Sequence, residues 1–173
     1  FRNLSEHREV EALFLEHIAR AKHFIYAESQ YFASRSIAEA IAGRLSEADP
    51  PEIFIVTSSI ADGWLAQTAM DNARVRLLHA LQEKDHAGRF HFYVPVTSIG
   101  TGIYVHAKLM IVDDEVLRVG SANMNNRSMG LDTEADIFLD ARRPANRHIV
   151  PAITRLRHGM LAEHCGIEPE AVA

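Results

Sequence analysis

Hydrophobic positions along the chain follow two spacings, which divide it into helices and strands. In four segments the apolar side chains recur every three or four residues, the spacing of a helix with one buried face. Ser5 and Ser36 are the predicted N-caps of the first two helices, and Gly166 is placed to end the last one. The predicted helices cover residues 5–21, residues 36 to the Asp49-Pro50-Pro51 cluster, residues 62–83 and residues 149–165.

Short runs of β-branched and aromatic residues lie between and after these helices and predict strands. They cover residues 23–27, 52–57, 90–94, 104–112, 116–121 and 133–140. Asp113, Asp114 and Glu115 separate two of these runs, which predicts a hairpin. Helices between the early strands and a hairpin later predict an α/β fold, a mixed sheet flanked by helices on both faces. No linker or internal repeat divides residues 1–173, so we expect one domain.

Composition and charge limit the partners. The chain is 47% hydrophobic and 24% charged, which is ordinary for a globular protein, and its net charge is -5. A general attraction to nucleic acid or to an anionic membrane is therefore not favoured, and any phosphate affinity must be local. The apolar runs are far shorter than the roughly twenty residues of a membrane-spanning helix, so we expect a cytoplasmic or peripheral membrane location. The start at Phe1 suggests a piece of a longer protein.

Residues 104–128 carry the candidate chemistry. Two residues apart on a strand, His106 and Lys108 share a face. Lys108 can donate to phosphate oxygens, while His106 can attack phosphorus or transfer a proton. Beyond the hairpin, Gly120, Ser121 and Asn123 place small residues, a hydroxyl and an amide where they can close around the same phosphate. A His and Lys pair alone would more simply be an exposed strand end, but the whole spacing favours a phosphate site.

This window reads His106-x-Lys108-x4-Asp113-x6-Gly120-Ser121-x-Asn123. The pattern resembles the HKD signature of the phospholipase D superfamily. The flanking residues 28–32 and 125–134 are similar to the C-terminal half of bacterial phospholipase D-like and cardiolipin-synthase-like proteins. The resemblance implies a phospholipase D-like half-fold and a two-step reaction without metal or cofactor. One motif histidine attacks phosphorus, the other protonates the leaving alcohol, and water or another alcohol then takes the phosphoryl group.

By this resemblance His106 would more often be the general acid and base, with the nucleophile in another half. In a symmetric homodimer it could serve in either role. None of the other nine histidines has a lysine two residues later, so the chain carries a single motif. We therefore expect a partner that supplies the second motif, either an N-terminal half of the parent chain or another copy.

The carboxylates of the window are predicted to have different roles. Asp113 lies an odd number of residues from His106 and some 20 Å away along a strand, so it cannot orient the imidazole. We expect Asp113 to anchor the hairpin turn through nearby backbone groups, with Gly120 also structural. Glu134, at the start of the last predicted strand, is the candidate to accept the His106 Nδ1 proton, although it could be a plain surface carboxylate.

Three function classes remain open. The first is hydrolysis or transfer at a phospholipid phosphodiester. The second is a homodimeric nuclease built from single-motif chains, which the acidic balance and the scattered arginines make less favoured. The third is a non-catalytic supporting half, which the intact motif weakens. Glu28, Gln30 and Tyr31, at the end of an early strand, either border the site or only pack.

Overall fold

The computed structural model describes residues 7–58 and 74–172, which form a layered α/β structure. Its strands are β1 (Phe24–Ser29), β2 (Phe32–Ala33), β3 (Glu52–Thr57), β4 (Phe90–Tyr93), β5 (Lys108–Val112), β6 (Val116–Gly120), β7 (Met124–Asn125) and β8 (Asp136–Asp140). Its helices are α1 (Glu9–Arg20), α2 (Arg35–Leu45), α3 (helical residues 74–82), α4 (Asn126–Gly130) and α5 (Val150–Cys165). Two 3-10 helices, Pro144–Ile149 and Pro169–Val172, flank α5.

Six of the strands form one mixed sheet in the order β4-β3-β1-β5-β6-β8. On one side of β1, the strands β3 and β4 run parallel to it; on the other side, β5, β6 and β8 alternate in direction. The short β2 and β7 pair separately. The predicted mixed sheet is confirmed. Its centre is β1, whose end therefore lies where the parallel and antiparallel parts meet.

Helices cover both faces of this sheet, as the sequence predicts. Strand residues alternate between faces. In β1, Ile25 and Ala27 point into the core formed with α1 and α2, whereas Tyr26 points into the smaller core against α5. The first core holds Phe14 and Ile37, each almost completely buried. Burial of such side chains contributes about 1.5–3 kcal/mol each and holds the strand ends in place.

The ends of the helices differ in part from the prediction. The N-cap of α2 is Ser34, not Ser36: the helix begins at Arg35, and the Ser34 hydroxyl accepts a hydrogen bond from the Ile37 N–H. Gly166 ends α5 in the left-handed conformation (φ 65°), as predicted. Ser5 and the first part of the predicted helix 62–83 lie outside the described residues. No helix in the two described ranges has both the length and the apolar character needed to cross a bilayer.

The hairpin turn between β5 and β6 is hydrogen-bonded to the start of β1. Asp113 and Asp114 both have positive φ (53° and 54°), which Asp tolerates better than most residues. The Asp113 carboxylate accepts hydrogen bonds of 2.8–2.9 Å from the backbone N–H groups of Lys22, His23 and Phe24. The expectation of nearby partners was wrong, because these donors lie 89 to 91 residues earlier in the chain. Asp113 thus joins the hairpin to the start of β1.

Candidate active site

Lys108 is the first residue of β5 and lies beside the last residue of β1. It pairs with Ser29 in the register of the two strands. Its Nζ donates to the Gln30 Oε1 at 3.2 Å and to the His106 carbonyl oxygen at 2.8 Å. Partial burial lowers the pKa of Lys108, and the nearby negative charge of Glu134 opposes that shift. The ammonium group is therefore held in place at the end of the sheet.

His106 lies two residues before β5, so the prediction that it belongs to the strand was wrong. The β1 ladder ends at the Ser29 and Lys108 pair, so β1 has no residue left to pair with residues 104–107. The exposed His106 ring instead stacks on the Tyr104 ring, with 6.0 Å between centroids and 15° between planes. The Gln30 amide donates to the Tyr104 hydroxyl. Gln30 thus connects Lys108 with the aromatic ring that supports His106.

Asn123 lies across the same strand end. Its Oδ1 is 3.5 Å from the Ser29 hydroxyl, which also accepts a hydrogen bond from the Met124 N–H at 3.1 Å. The Asn123 N–H donates to the Ser128 hydroxyl at 3.1 Å. Lys108 and Asn123 therefore both contact Ser29, which sequence reasoning missed although it belongs to the 28–32 segment. The structure brings these predicted phosphate ligands together at one end of the sheet.

Ser121 and Glu134 form a second pair beside this group. The Ser121 hydroxyl donates to the Glu134 Oε2 at 2.5 Å and accepts from the Ala135 N–H at 2.9 Å. Glu134 precedes β8, which begins at Asp136 and not, as predicted, at residue 133. Glu134 is thus hydrogen-bonded to Ser121, and its role in orienting His106 stays a prediction.

The loop that carries Ser121 and Asn123 rests on a buried ion pair that sequence reasoning missed. Arg118 and Asp136 are joined at 2.6 Å, with side chains only 1% and 3% exposed. Arg118 also lies 3.8 Å over the Phe14 ring. A Cβ on Gly120 would lie 1.6 Å from the Asp136 Oδ1 and 2.7 Å from the Ala135 carbonyl oxygen, which explains the glycine of the motif. The sequence does contain one indication of this pair, because Arg118 is a charged residue within an otherwise apolar predicted strand.

The three candidate border residues take different positions. Gln30 contacts Lys108, and its amide also donates to the Tyr31 hydroxyl at 2.9 Å. Glu28 is buried, accepts from the Tyr26 hydroxyl at 2.5 Å and lies 2.9 Å from the His164 Nε2. Glu28 and His106 line one small cavity, with His164 on its wall. Within residues 7–58 and 74–172, no three His, Cys, Asp or Glu side chains are arranged to hold a metal ion.

Comparison with known proteins identifies the family. Residues 14–155, most of the chain, match the family described as "Cardiolipin synthase, PLD-like domain". The chain belongs to this phospholipase D-like family. Its membership of the phospholipase D superfamily, predicted from the HKD pattern, is thereby confirmed.

Individual proteins of known family resemble this phospholipase D-like domain in sequence or in fold. It is 26% identical over 219 residues to phospholipase D delta of Arabidopsis thaliana, covering 92% of the chain and 25% of the plant protein. The domain thus spans about a quarter of that relative's length. Phosphatidylserine synthase of Haemophilus influenzae Rd KW20 has a similar fold (TM-score 0.67, 16% identity, 90% of this chain and 36% of that one). So has Nuc of Salmonella typhimurium, a phospholipase D family member (TM-score 0.58, 15% identity, 82% of each chain).

Proposed function

We propose that this phospholipase D-like domain forms one half of a phosphodiesterase or phosphatidyltransferase site that acts on phospholipid phosphodiesters. The observation that carries the proposal is the convergence of Lys108 and Asn123 on Ser29, next to His106. The net charge of -5 gives no general attraction to phosphate, so a positioned ammonium group is the feature that can hold one here. Family membership supports the same chemistry.

The proposed reaction takes place at phosphorus. One imidazole nitrogen attacks, a phosphorus–nitrogen bond forms, the bond to the leaving oxygen breaks, and a second imidazole gives that oxygen its proton. Water or another alcohol then attacks phosphorus and gives its proton to the second imidazole, the phosphorus–nitrogen bond breaks, and both imidazoles return to their initial states. Lys108 and Asn123 would donate to the non-bridging oxygens, where charge accumulates in the transition state. Partial burial of Lys108 strengthens that interaction because less water screens it.

His106 supplies one of the two imidazoles in this proposal. The other comes from a second HKD-bearing half, because the chain carries only one histidine with a lysine two residues later. In an arrangement with an N-terminal half, His106 acts as general acid and base. In a symmetric pair of identical chains it takes either role.

An activity assay with a matched control tests the proposal. The protein, as the parent chain or with a second copy, is given phosphatidylcholine and a chromogenic phosphodiester, and covalent phosphoenzyme is trapped by acid-free quenching. We expect turnover and trapped phosphohistidine that His106→Ala reduces by a factor of about 10³ or more. His86→Ala replaces an exposed histidine elsewhere and leaves both signals unchanged. If His106→Ala turns over like the wild type, the chain is a supporting half and the proposal is wrong.

A homodimeric single-motif phosphodiesterase is the second candidate. Its support is the fold match with Nuc over 82% of both chains, because a chain of that length with one motif would need a second copy to supply the other imidazole. Measurement of the solution mass at increasing concentration, with parallel assays on DNA and phospholipid, separates the two. A dimer that cleaves DNA in preference to lipid favours this candidate over the first.

A further inference from the structure

A short hairpin immediately before the site exposes an apolar surface. Residues 94–104, here called the 94–104 loop, are closed by an antiparallel bridge between Val96 and Gly102. The Thr97 N–H donates to the Thr101 carbonyl at 2.7 Å, and the Gly100 N–H donates to the Thr97 carbonyl at 2.8 Å. With Gly100 at φ 82°, this is the pattern of a three-residue hairpin turn. The backbone is therefore paired, and Ile99 lies at its tip.

The side chains of this loop are apolar and exposed. Ile99 is 87% exposed and Val96 57% exposed, while Val94, Ile103 and Tyr104 are exposed to between 38% and 44%. Residues 92–105 contain no Asp, Glu, Lys or Arg, although 24% of the whole chain is charged. Single exposed apolar residues are common, but a continuous uncharged group of them marks an interaction surface.

The 94–104 loop is continuous with the candidate site. Tyr104, at its end, stacks on His106 and is hydrogen-bonded by Gln30, the residue that also contacts Lys108. The N–H of Val105, the next residue, donates to the Ser58 hydroxyl at 2.7 Å, and that hydroxyl donates to the Val105 carbonyl oxygen at 3.0 Å. Whatever covers the loop therefore lies beside the position proposed for the substrate phosphate.

We propose that the 94–104 loop inserts into the lipid surface that presents the substrate, with Ile99 and Val96 among the acyl chains and Tyr104 at headgroup level. This inference rests on the proposed function, since a phospholipid substrate brings a bilayer to His106. The absence of charge indicates apolar insertion rather than attraction to anionic lipid. A tyrosine with a polar tip and an apolar ring suits the boundary. Such insertion holds the protein at the surface while the phosphodiester reaches Lys108.

Vesicle sedimentation of the full chain tests the inference. The vesicles contain phosphatidylcholine and phosphatidylglycerol, and Ile99→Ser is compared with Ile137→Ser, which removes an isoleucine that is 73% exposed on β8. We expect Ile99→Ser to lower the partition coefficient about tenfold and Ile137→Ser to change it by less than about twofold. Salt at about 0.5 M leaves binding unchanged, because no ionic contact is involved. Ile99→Trp binds more tightly than the wild type, with a blue shift of its emission on vesicle binding.

Turnover separates this inference from the proposed function. If both hold, Ile99→Ser loses activity on vesicles but retains activity on a short-chain phospholipid below its micelle concentration. If the wild type supplied with its second HKD-bearing half turns over no phosphodiester, the proposed function fails, while sedimentation still reports on the loop. If the wild type is active but does not sediment, or if Ile99→Ser and Ile137→Ser sediment alike, the inference is overturned and the function stands. Binding that salt abolishes also overturns it, in favour of an ionic surface elsewhere.

Discussion

The two ends of β5 carry parts of the same HKD signature but use them differently. At one end the Asp113 carboxylate is saturated by three backbone N–H groups and belongs to the fold. At the other end Lys108 has an amide and a carbonyl oxygen as partners, both of which a phosphate can replace, and His106 is exposed. The comparison teaches that one signature combines a residue bound into the fold with residues left accessible at the end of the strand. Substitutions at the two ends should therefore separate stability from activity.

After His106→Ala, replacement of the site cation gives the largest expected effect. Lys108→Met removes the ammonium group and should lower kcat/KM on a phosphodiester by about 10²–10³, because the charge developing on the phosphate loses the cationic donor proposed for it. The free energy of unfolding should stay the same or rise slightly, since a partly desolvated charge is removed. Urea unfolding together with steady-state kinetics checks both. A large loss of stability would show that Lys108 belongs to the fold, like Asp113.

Replacement of Asp113, at the opposite end, should lower stability and leave activity nearly unchanged. Asp113→Ala removes three hydrogen bonds and places alanine at φ 53°, so we expect a loss of about 3 kcal/mol in the free energy of unfolding. The kcat/KM per folded molecule stays within about twofold of the wild type. Asp113→Asn, which tolerates the same backbone conformation and keeps one acceptor oxygen, serves as the milder control. Loss of activity without loss of stability would contradict the division between the two ends.

A third prediction concerns the stability of the protein at low pH, which depends on His17, a residue away from both ends of β5. The His17 ring is buried, with its centroid 5.6 Å from that of the Phe138 ring. Desolvation lowers the pKa of His17 from 6.5 to about 4. The folded chain keeps His17 neutral while the unfolded chain takes up the proton, so this contribution is complete above the unfolded pKa and is lost as the pH falls from 6.5 towards 4. By about pH 5 the loss should reach about 2 kcal/mol.

Urea unfolding at about pH 7 and about pH 5 measures this loss in the wild type and in His17→Phe, which cannot titrate. The variant should lose about 2 kcal/mol less than the wild type between the two pH values. Equal losses in both would assign the acid sensitivity to other groups.

The smallest expected effect concerns the predicted orienting carboxylate. Glu134→Gln keeps an acceptor for the Ser121 hydroxyl but removes the charge, and we expect kcat/KM to fall about tenfold. The pH dependence of kcat/KM decides between the two roles: if Glu134 supports the charged His106 ring, the variant changes this dependence. An unchanged profile would leave Glu134 as a support of Ser121 alone.

Much of the fold could be predicted because buried strands are encoded locally. The run at residues 52–57 coincides with β3, and Gly166 ends α5 where its backbone freedom is needed. The position of His106 could not be predicted, because the length of β5 is set by where β1 ends rather than by the residues of β5 itself. The donors to Asp113 likewise lie far away in the chain.

The candidate site likewise contains features that could be predicted from the sequence and features that could not. The motif spacing indicated that Lys108 and Asn123 would lie together, because both follow from strand ends joined by one hairpin. The contact of Ser29 with Lys108 and the buried Arg118–Asp136 ion pair depend on which strands lie side by side. The spacing of motif residues along the chain does not contain that information. The role of Glu134 depends on a substrate-bound geometry and stays a prediction.

The central place of β1 has a consequence for how the protein is made. As the chain leaves the ribosome, β1, β3 and β4 can associate before β5 has been synthesised, since β1 pairs with β3 on one side and with β5 on the other. Until β5 is complete at Val112, one edge of β1 therefore has unpaired backbone groups, a surface on which nascent chains can aggregate. By pairing with β1, β5 therefore both completes the candidate site and covers the exposed edge of the partly synthesised sheet.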